Sequence, residues 1–282
     1  MKSHMFKTLM VFAIFATSLH NYAQADFQGV AYYESKTTAD MPDFGGRQMS
    51  EEQKKRIAER MKSMLEKTYV LTFNRSESIY KEEEKLEAPT TSGGRGFRGM
   101  DLSSGPQYKN IKTNQILIDQ EFFGKQFLIK DSLPKLEWKM ENETKQIGQY
   151  TCFKATAMKT VSATDIRTMR PPGRGGDDND KEEKEETPKQ ILVTAWYTPQ
   201  IPINQGPGEY WGLPGLILEI NADRTTILCS KIVLNSKDGE VIKEPKRGKE
   251  VTQEEYNEIV KKKMEEMREM YGGRGPGGGR RR

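Results

Sequence analysis

Both histidines of this 282-residue chain, His4 and His20, lie within its first twenty residues. No imidazole follows them. That removes Ser-His and Cys-His nucleophilic catalysis, histidine acid–base work and ordinary His-ligated zinc. Carboxylates, lysines, hydroxyls, two cysteines and a set of methionines remain for chemistry. No carboxylate pair is marked out by its spacing, so a histidine-independent enzyme stays an alternative without a nameable catalytic residue. Met264, Met267 and Met270 recur at three-residue intervals, and Met61 and Met64 repeat the spacing. Thioethers on one helical stripe suit Cu(I), a soft ion. Methionine also fills irregular cores, and these residues fall where core residues of a helix belong. We read them as core, with a periplasmic Cu(I)-binding protein as the alternative, and expect no cofactor.

Cys152 and Cys229 each sit in a strand-like run, YTCFKA and TILCSKIV. If the strands meander, two others separate them, which is about 14 Å at a strand spacing of roughly 4.8 Å. A disulfide needs Cα atoms within about 7 Å. A bridge and two separate thiols therefore both stay open, and the distance favours the thiols.

The elements around these residues bound where the chain works. Residues 1–25 have the form of a secretory signal peptide: Lys2 and Lys7, an apolar run over 9–16, then Ala23-Gln24-Ala25. Cleavage is expected before Asp26, with delivery to the periplasm or cell surface. The apolar run is too short to span a bilayer, and no later segment is apolar enough to do so. Of the 45 basic residues two lie in this leader, leaving 43 against 41 acids. That balance gives no reason to expect an anionic partner. Arg-Gly clusters at 93–99, 172–176 and 272–276 would suggest RNA in a cytosolic chain. After export they read as flexible loops, and no nucleic acid is expected.

Hydrophobic alternation predicts strands over 27–35, 69–80, 108–118, 126–130, 138–145, 149–159, 191–198, 216–220 and 226–235. Asn142, Gly148, Asp223 and Asp238-Gly239 supply the turns between them. Ser50 and Gln53 make a capping box ahead of a helical pattern near 50–67, and Thr252 with Glu255 opens a second over 252–271. The fold class is mainly β: a curved antiparallel sheet or open half-barrel, partly covered by one or two helices. We place a single β-rich domain at 26–246, with the helical insertion at 50–67 inside it. An amphipathic C-terminal helix spans 247–271 and a disordered Gly/Arg tail 272–282. Inserts at 88–102 and 170–189 are too polar to pack; the block 177–186 alone holds seven acids and two lysines.

The stretch 196–220 reads WYTPQIPINQGPGEYWGLPGLILEI. Pro214-Gly215 suits the centre of a type II turn, with φ fixed at the proline and positive at the glycine. Leu216-Ile217-Leu218 follows as a strand apolar on both faces. Pro199 and Pro202 belong at an edge or in an extended loop. Tyr210 and Trp211, with Trp138 and Tyr150, are either the wall of a ligand pocket or part of a plug that closes the sheet.

The hexapeptide Gly212-Leu213-Pro214-Gly215-Leu216-Ile217 resembles the signature of the GLPGLI family, secreted proteins of Bacteroidetes-type bacteria. The block WKMENETKQIGQYTCFKATA over 138–157 and the run 108–130 are similar to that family as well. The resemblance implies export and carries no catalytic residue. We expect a non-catalytic cell-envelope protein, and from fold analogy alone, not from the family, an apolar ligand or a partner segment held in the curved sheet. By fold analogy the shell looks like the half-barrels of periplasmic lipoprotein carriers.

Overall fold

The computed structural model describes residues 27–38, 50–83, 105–161, 189–235 and 241–272. The expected signal peptide, most of the inserts expected at 88–102 and 170–189, Asp238-Gly239 and the tail beyond 272 lie outside the described residues. In chain order the elements are β1 (Gly29–Thr37), α1 (Glu51–Leu65), β2 (Glu66–Phe73), β3 (Glu77–Glu82), β4 (Gln107–Asn110), β5 (Gln115–Phe122) and β6 (Lys125–Ser132). They continue with β7 (Lys139–Ile147), β8 (Tyr150–Val161), β9 (Lys189–Thr198), β10 (Leu216–Ala222), β11 (Thr225–Leu234), β12 (Lys249–Val251) and α2 (Gln253–Gly272).

The twelve strands of the described residues form one open sheet in the order β12-β6-β5-β4-β3-β2-β1-β11-β10-β9-β8-β7. Two meanders, β1 to β6 and β7 to β11, are joined where β1 pairs with β11. Every pairing is antiparallel except β12 on β6. The sheet must roll up. Strands β6 and β7 stand ten spacings apart, about 48 Å on a flat sheet at ~4.8 Å each. Yet only residues 133–138 join them, a link that reaches about 25 Å fully extended. The rolled sheet stays open, with β12 and β7 as its two edges.

Register defines the inner face. Ala31, Leu71, Tyr80, Gln107, Ile118 and Ile129 are successive cross-strand partners. All six point to one side because side chains alternate along each strand, and each is buried or half-buried. Helix α2 covers this face at the β5–β6 end, with Tyr256 and Val260 against Phe122, Phe127 and Ile129. Elsewhere the loop 199–215 covers it. Both capping boxes form: Ser50 N–H donates to Gln53 Oε1 at 3.1 Å, and Thr252 N–H donates to Glu255 Oε2 at 2.9 Å. Among the described residues no helix is long and apolar enough to cross a membrane.

Several boundaries differ from expectation for local reasons. The stretches 69–80 and 108–118 are hairpins, not single strands. Asn74 makes the first turn by accepting from the N–H groups of Ser76 and Glu77. Asn110 makes the second, accepting from Lys112 and Thr113. Asn142 is no turn residue. It lies within β7, where the register against β8 shifts between Met140 and Thr144. Residues 249–251 form β12 rather than helix, because the edge of β6 offers a partner for three residues.

Candidate functional site

The loop 199–215 leaves β9, crosses the inner face and returns as β10. Ile201, Ile203 and Leu213 are buried within it. Ile201 and Ile203 pack with Ala31, Tyr33, Leu71 and Phe73 of one meander. Leu213 and Tyr210 pack with Ala155, Val193, Ala195 and Tyr197 of the other. The loop thus fills the space between the two halves.

An irregular segment buried in this way leaves backbone groups that need partners. The sheet supplies them. Tyr33 donates its hydroxyl to the Ile217 carbonyl at 2.7 Å. Lys109, fully buried, donates Nζ to the carbonyls of Gly206 at 2.7 Å and Tyr210 at 3.1 Å. Ser78 donates to Gln205 Oε1 at 2.9 Å. The start of β10 bonds back to the loop as well: Leu216 N–H reaches the Ile201 carbonyl and Ile217 N–H the Gln205 carbonyl. Burial pulls the Lys109 amine down to about 7, against a weaker upward pull from Glu209. Burial also raises the Tyr33 phenol well above its ordinary range, with Cys229 and Tyr80 adding to the rise.

The hexapeptide closes the loop differently from the turn its sequence suggests. Gly215 N–H donates to the Leu213 carbonyl at 2.8 Å, a three-residue turn around Pro214 whose fixed φ suits it. Gly215 has φ 159°, and positive φ of the left-handed kind falls instead on Gly212, at 92°. Glycine is needed at 215 for close approach: a Cβ there would overlap the Thr198 carbonyl. The strand that follows is buried throughout, at Leu216, Ile217 and Leu218.

The aromatic candidates divide. Trp138 donates Nε1 to the Trp211 carbonyl at 2.8 Å, and Trp211 donates Nε1 to the Pro134 carbonyl at 2.6 Å. Together they tie the 133–138 link to the loop, across the gap between the sheet's ends. Tyr210 is buried; Lys159 sits over its ring and pairs with Glu209 at 2.6 Å. Tyr150 stands apart, half-buried beside the cluster that holds Cys152. The four are not gathered around one opening.

Cys152 and Cys229 are free and buried in one cluster, on β8 and β11 with β9 and β10 between them. Burial pushes their thiols up to about 11 and about 12. Met264 packs against the Phe122–Val260 cluster, Met267 is half-buried and Met270 is 62% exposed. Among the described residues no group of His, Cys, Asp or Glu is arranged to hold a metal ion. Lys109, Ser78 and Gln205 escaped the sequence reading. Lys109 lies in the short strand QYKN, where a lysine ordinarily marks the solvent side; only the position of a loop a hundred residues away reveals its role.

Comparison with known proteins adds a family match. A family model described as a protein of unknown function (Porph_ging) matches residues 138–219, from Trp138 through the hexapeptide into β10. That is under a third of the chain. No curated protein matches. Among solved structures, PNGF-II in its C2 crystal form is similar at 12% identity and a TM-score of 0.47, covering 84% of this chain and 33% of that one. Its P21 form is similar at 14% identity and a TM-score of 0.45, with 84% and 34% covered. The chain spans about a third of the length of the structures it matches.

Proposed function

We propose that this is an exported, non-catalytic cell-envelope protein of the GLPGLI type that acts by binding a partner segment along the free edge of its sheet. The observation that carries this is β7. It is nine residues long and, among the described residues, pairs only with β8, so one row of backbone donors and acceptors faces outward. Such an edge can take an added strand from another chain. The shift between Met140 and Thr144 interrupts that row, which leaves Thr144 to Ile147 as its regular part. The inner face is less available, because Ile201, Ile203 and Leu213 already lie on it. An apolar ligand there would first have to displace the loop.

Export rests on the leader sequence and is checked by N-terminal sequencing of protein taken from the native envelope. The mature chain should begin at or near Asp26, and a retained Met1 would refute export. Binding is checked by a photo-crosslinking residue at Thr144 on β7, against Lys112 in the β4–β5 turn as control. A discrete adduct from 144 alone supports the edge. Adducts from neither, with a lipid mass retained on the protein in native mass spectra, would move the site to the inner face.

A further inference from the structure

Lys109 is a buried amine used as a clamp. Its position follows from register: it is the cross-strand partner of Ser78 and of Ile116, and so lies on the inner face, under the middle of the loop. Its two hydrogen bonds reach carbonyls four residues apart in the chain, at Gly206 and Tyr210. Between them lies Glu209, the nearest charge of opposite sign, but its carboxylate is bonded to Lys159 at 2.6 Å. Ser78, its cross-strand partner, Gln205, bonded to Ser78, and Tyr80, two residues along β3 on the same face, are the polar groups placed beside it. None of them is an anion. Among the described residues, a charged Lys109 therefore sits in the interior without a carboxylate of its own. An uncharged amine keeps two N–H groups, enough for both carbonyls, and carries no buried charge.

We propose that Lys109 is a pH-operated latch on the 199–215 loop: uncharged it holds the loop down on the inner face, and charged it weakens that hold. This inference does not depend on export or on the β7 edge.

The direction follows from linkage. Burial depresses the amine from 10.5 to about 7 in the closed state. Opening the loop exposes it to water and restores its ordinary value. Between those two values the open state binds one proton more than the closed state, so the closed state gains stability as pH rises. Below about 7 both states are protonated and the dependence stops. The opening equilibrium should therefore fall about tenfold per pH unit above 7, since one proton is linked to the change. Histidine, the side chain that ordinarily titrates near neutral pH, is absent beyond His20, which leaves this window clear.

Hydrogen exchange on the full chain between pH 6 and 9 tests the latch. The amides of Gly212, Leu216 and Ile217, each bonded to a loop carbonyl, should gain protection about tenfold per unit above pH 7. Amides of the β5–β6 ladder serve as reference and should stay level. In Lys109→Met the loop amides should lose their pH dependence. A level profile in the wild type, an equal slope in the β5–β6 ladder, or a slope surviving in Lys109→Met would overturn the proposal. Should that variant not fold, the Lys109 side chain can be titrated by NMR in the wild-type protein labelled at lysine. A midpoint near 7 supports the latch, and one near 10.5 overturns it.

Discussion

The inner face of this sheet is covered in two ways. At the β5–β6 end it lies under α2; between the two meanders it lies under the loop 199–215. A helix bonds its own backbone, so α2 needs only an apolar stripe, and Tyr256 and Val260 pack on Phe122, Phe127 and Ile129. The loop brings unpaired carbonyls inside. The strands beneath it accordingly carry Lys109, aimed at the loop carbonyls of Gly206 and Tyr210, Ser78, aimed at the Gln205 side chain, and Tyr33, aimed at the Ile217 carbonyl where the loop runs into β10. Backbone regularity in the cover sets how polar the sheet beneath it must be.

Substitutions on the two sides can break or sharpen this contrast. The largest effect is expected at Gly215. Gly215→Val drives a side chain into the Thr198 backbone and should cost about 3 kcal/mol or more in chemical denaturation, at the upper end for overpacking. Gly124, in the β5–β6 turn with φ 72° and open space around it, is the control. Gly124→Ala should cost only about 1 kcal/mol, the strain of left-handed backbone. Equal losses at the two sites would remove the close-approach argument.

Under the helix, Val260→Ala deletes methyl groups from a residue 1% exposed and should cost about 2 kcal/mol, as for other truncations of buried aliphatics. Its mark should be faster exchange in α2 with the loop amides unchanged. Under the loop, Tyr33→Phe keeps the ring and removes one buried donor. The Ile217 carbonyl then loses that donor, at about 1–2 kcal/mol, and exchange should quicken in the loop and not in α2. If either substitution loosened both covers equally, the two regions would be one cooperative unit and the contrast would fail.

The smallest effect is expected from the methionines. Changing Met264, Met267 and Met270 to Leu together should move stability by less than about 1.5 kcal/mol, because volume is kept, and Met270 should contribute nothing. Cu(I) titration of the wild type and this variant decides the alternative role. Tight binding by the wild type, lost in the variant at unchanged stability, would make the stripe a metal site and not a helix cover.

The sequence by itself determined much of this molecule. Alternation marks most of the strands because each has one face inside. Ser50 with Gln53 and Thr252 with Glu255 announce both helix starts, since capping is a contact between residues three apart. The hexapeptide marks the close packing at 212–217, although it suggested a turn conformation where the requirement is space beside Thr198. The hairpins within 69–80 and 108–118 were less legible, because Asn74 and Asn110 each bend the chain inside an otherwise apolar alternation.

Only the tertiary structure decided the rest. That β1 pairs with β11, that a six-residue link makes the sheet roll, and that the loop 199–215 lies on the inner face are relations between residues far apart in the chain. Lys109 shows this most plainly. Its short strand carries no sign of burial, and its donors find acceptors only because the loop between β9 and β10 passes over it. Local patterns encode what neighbouring residues do to each other. A buried lysine is set by what the rest of the fold places above it.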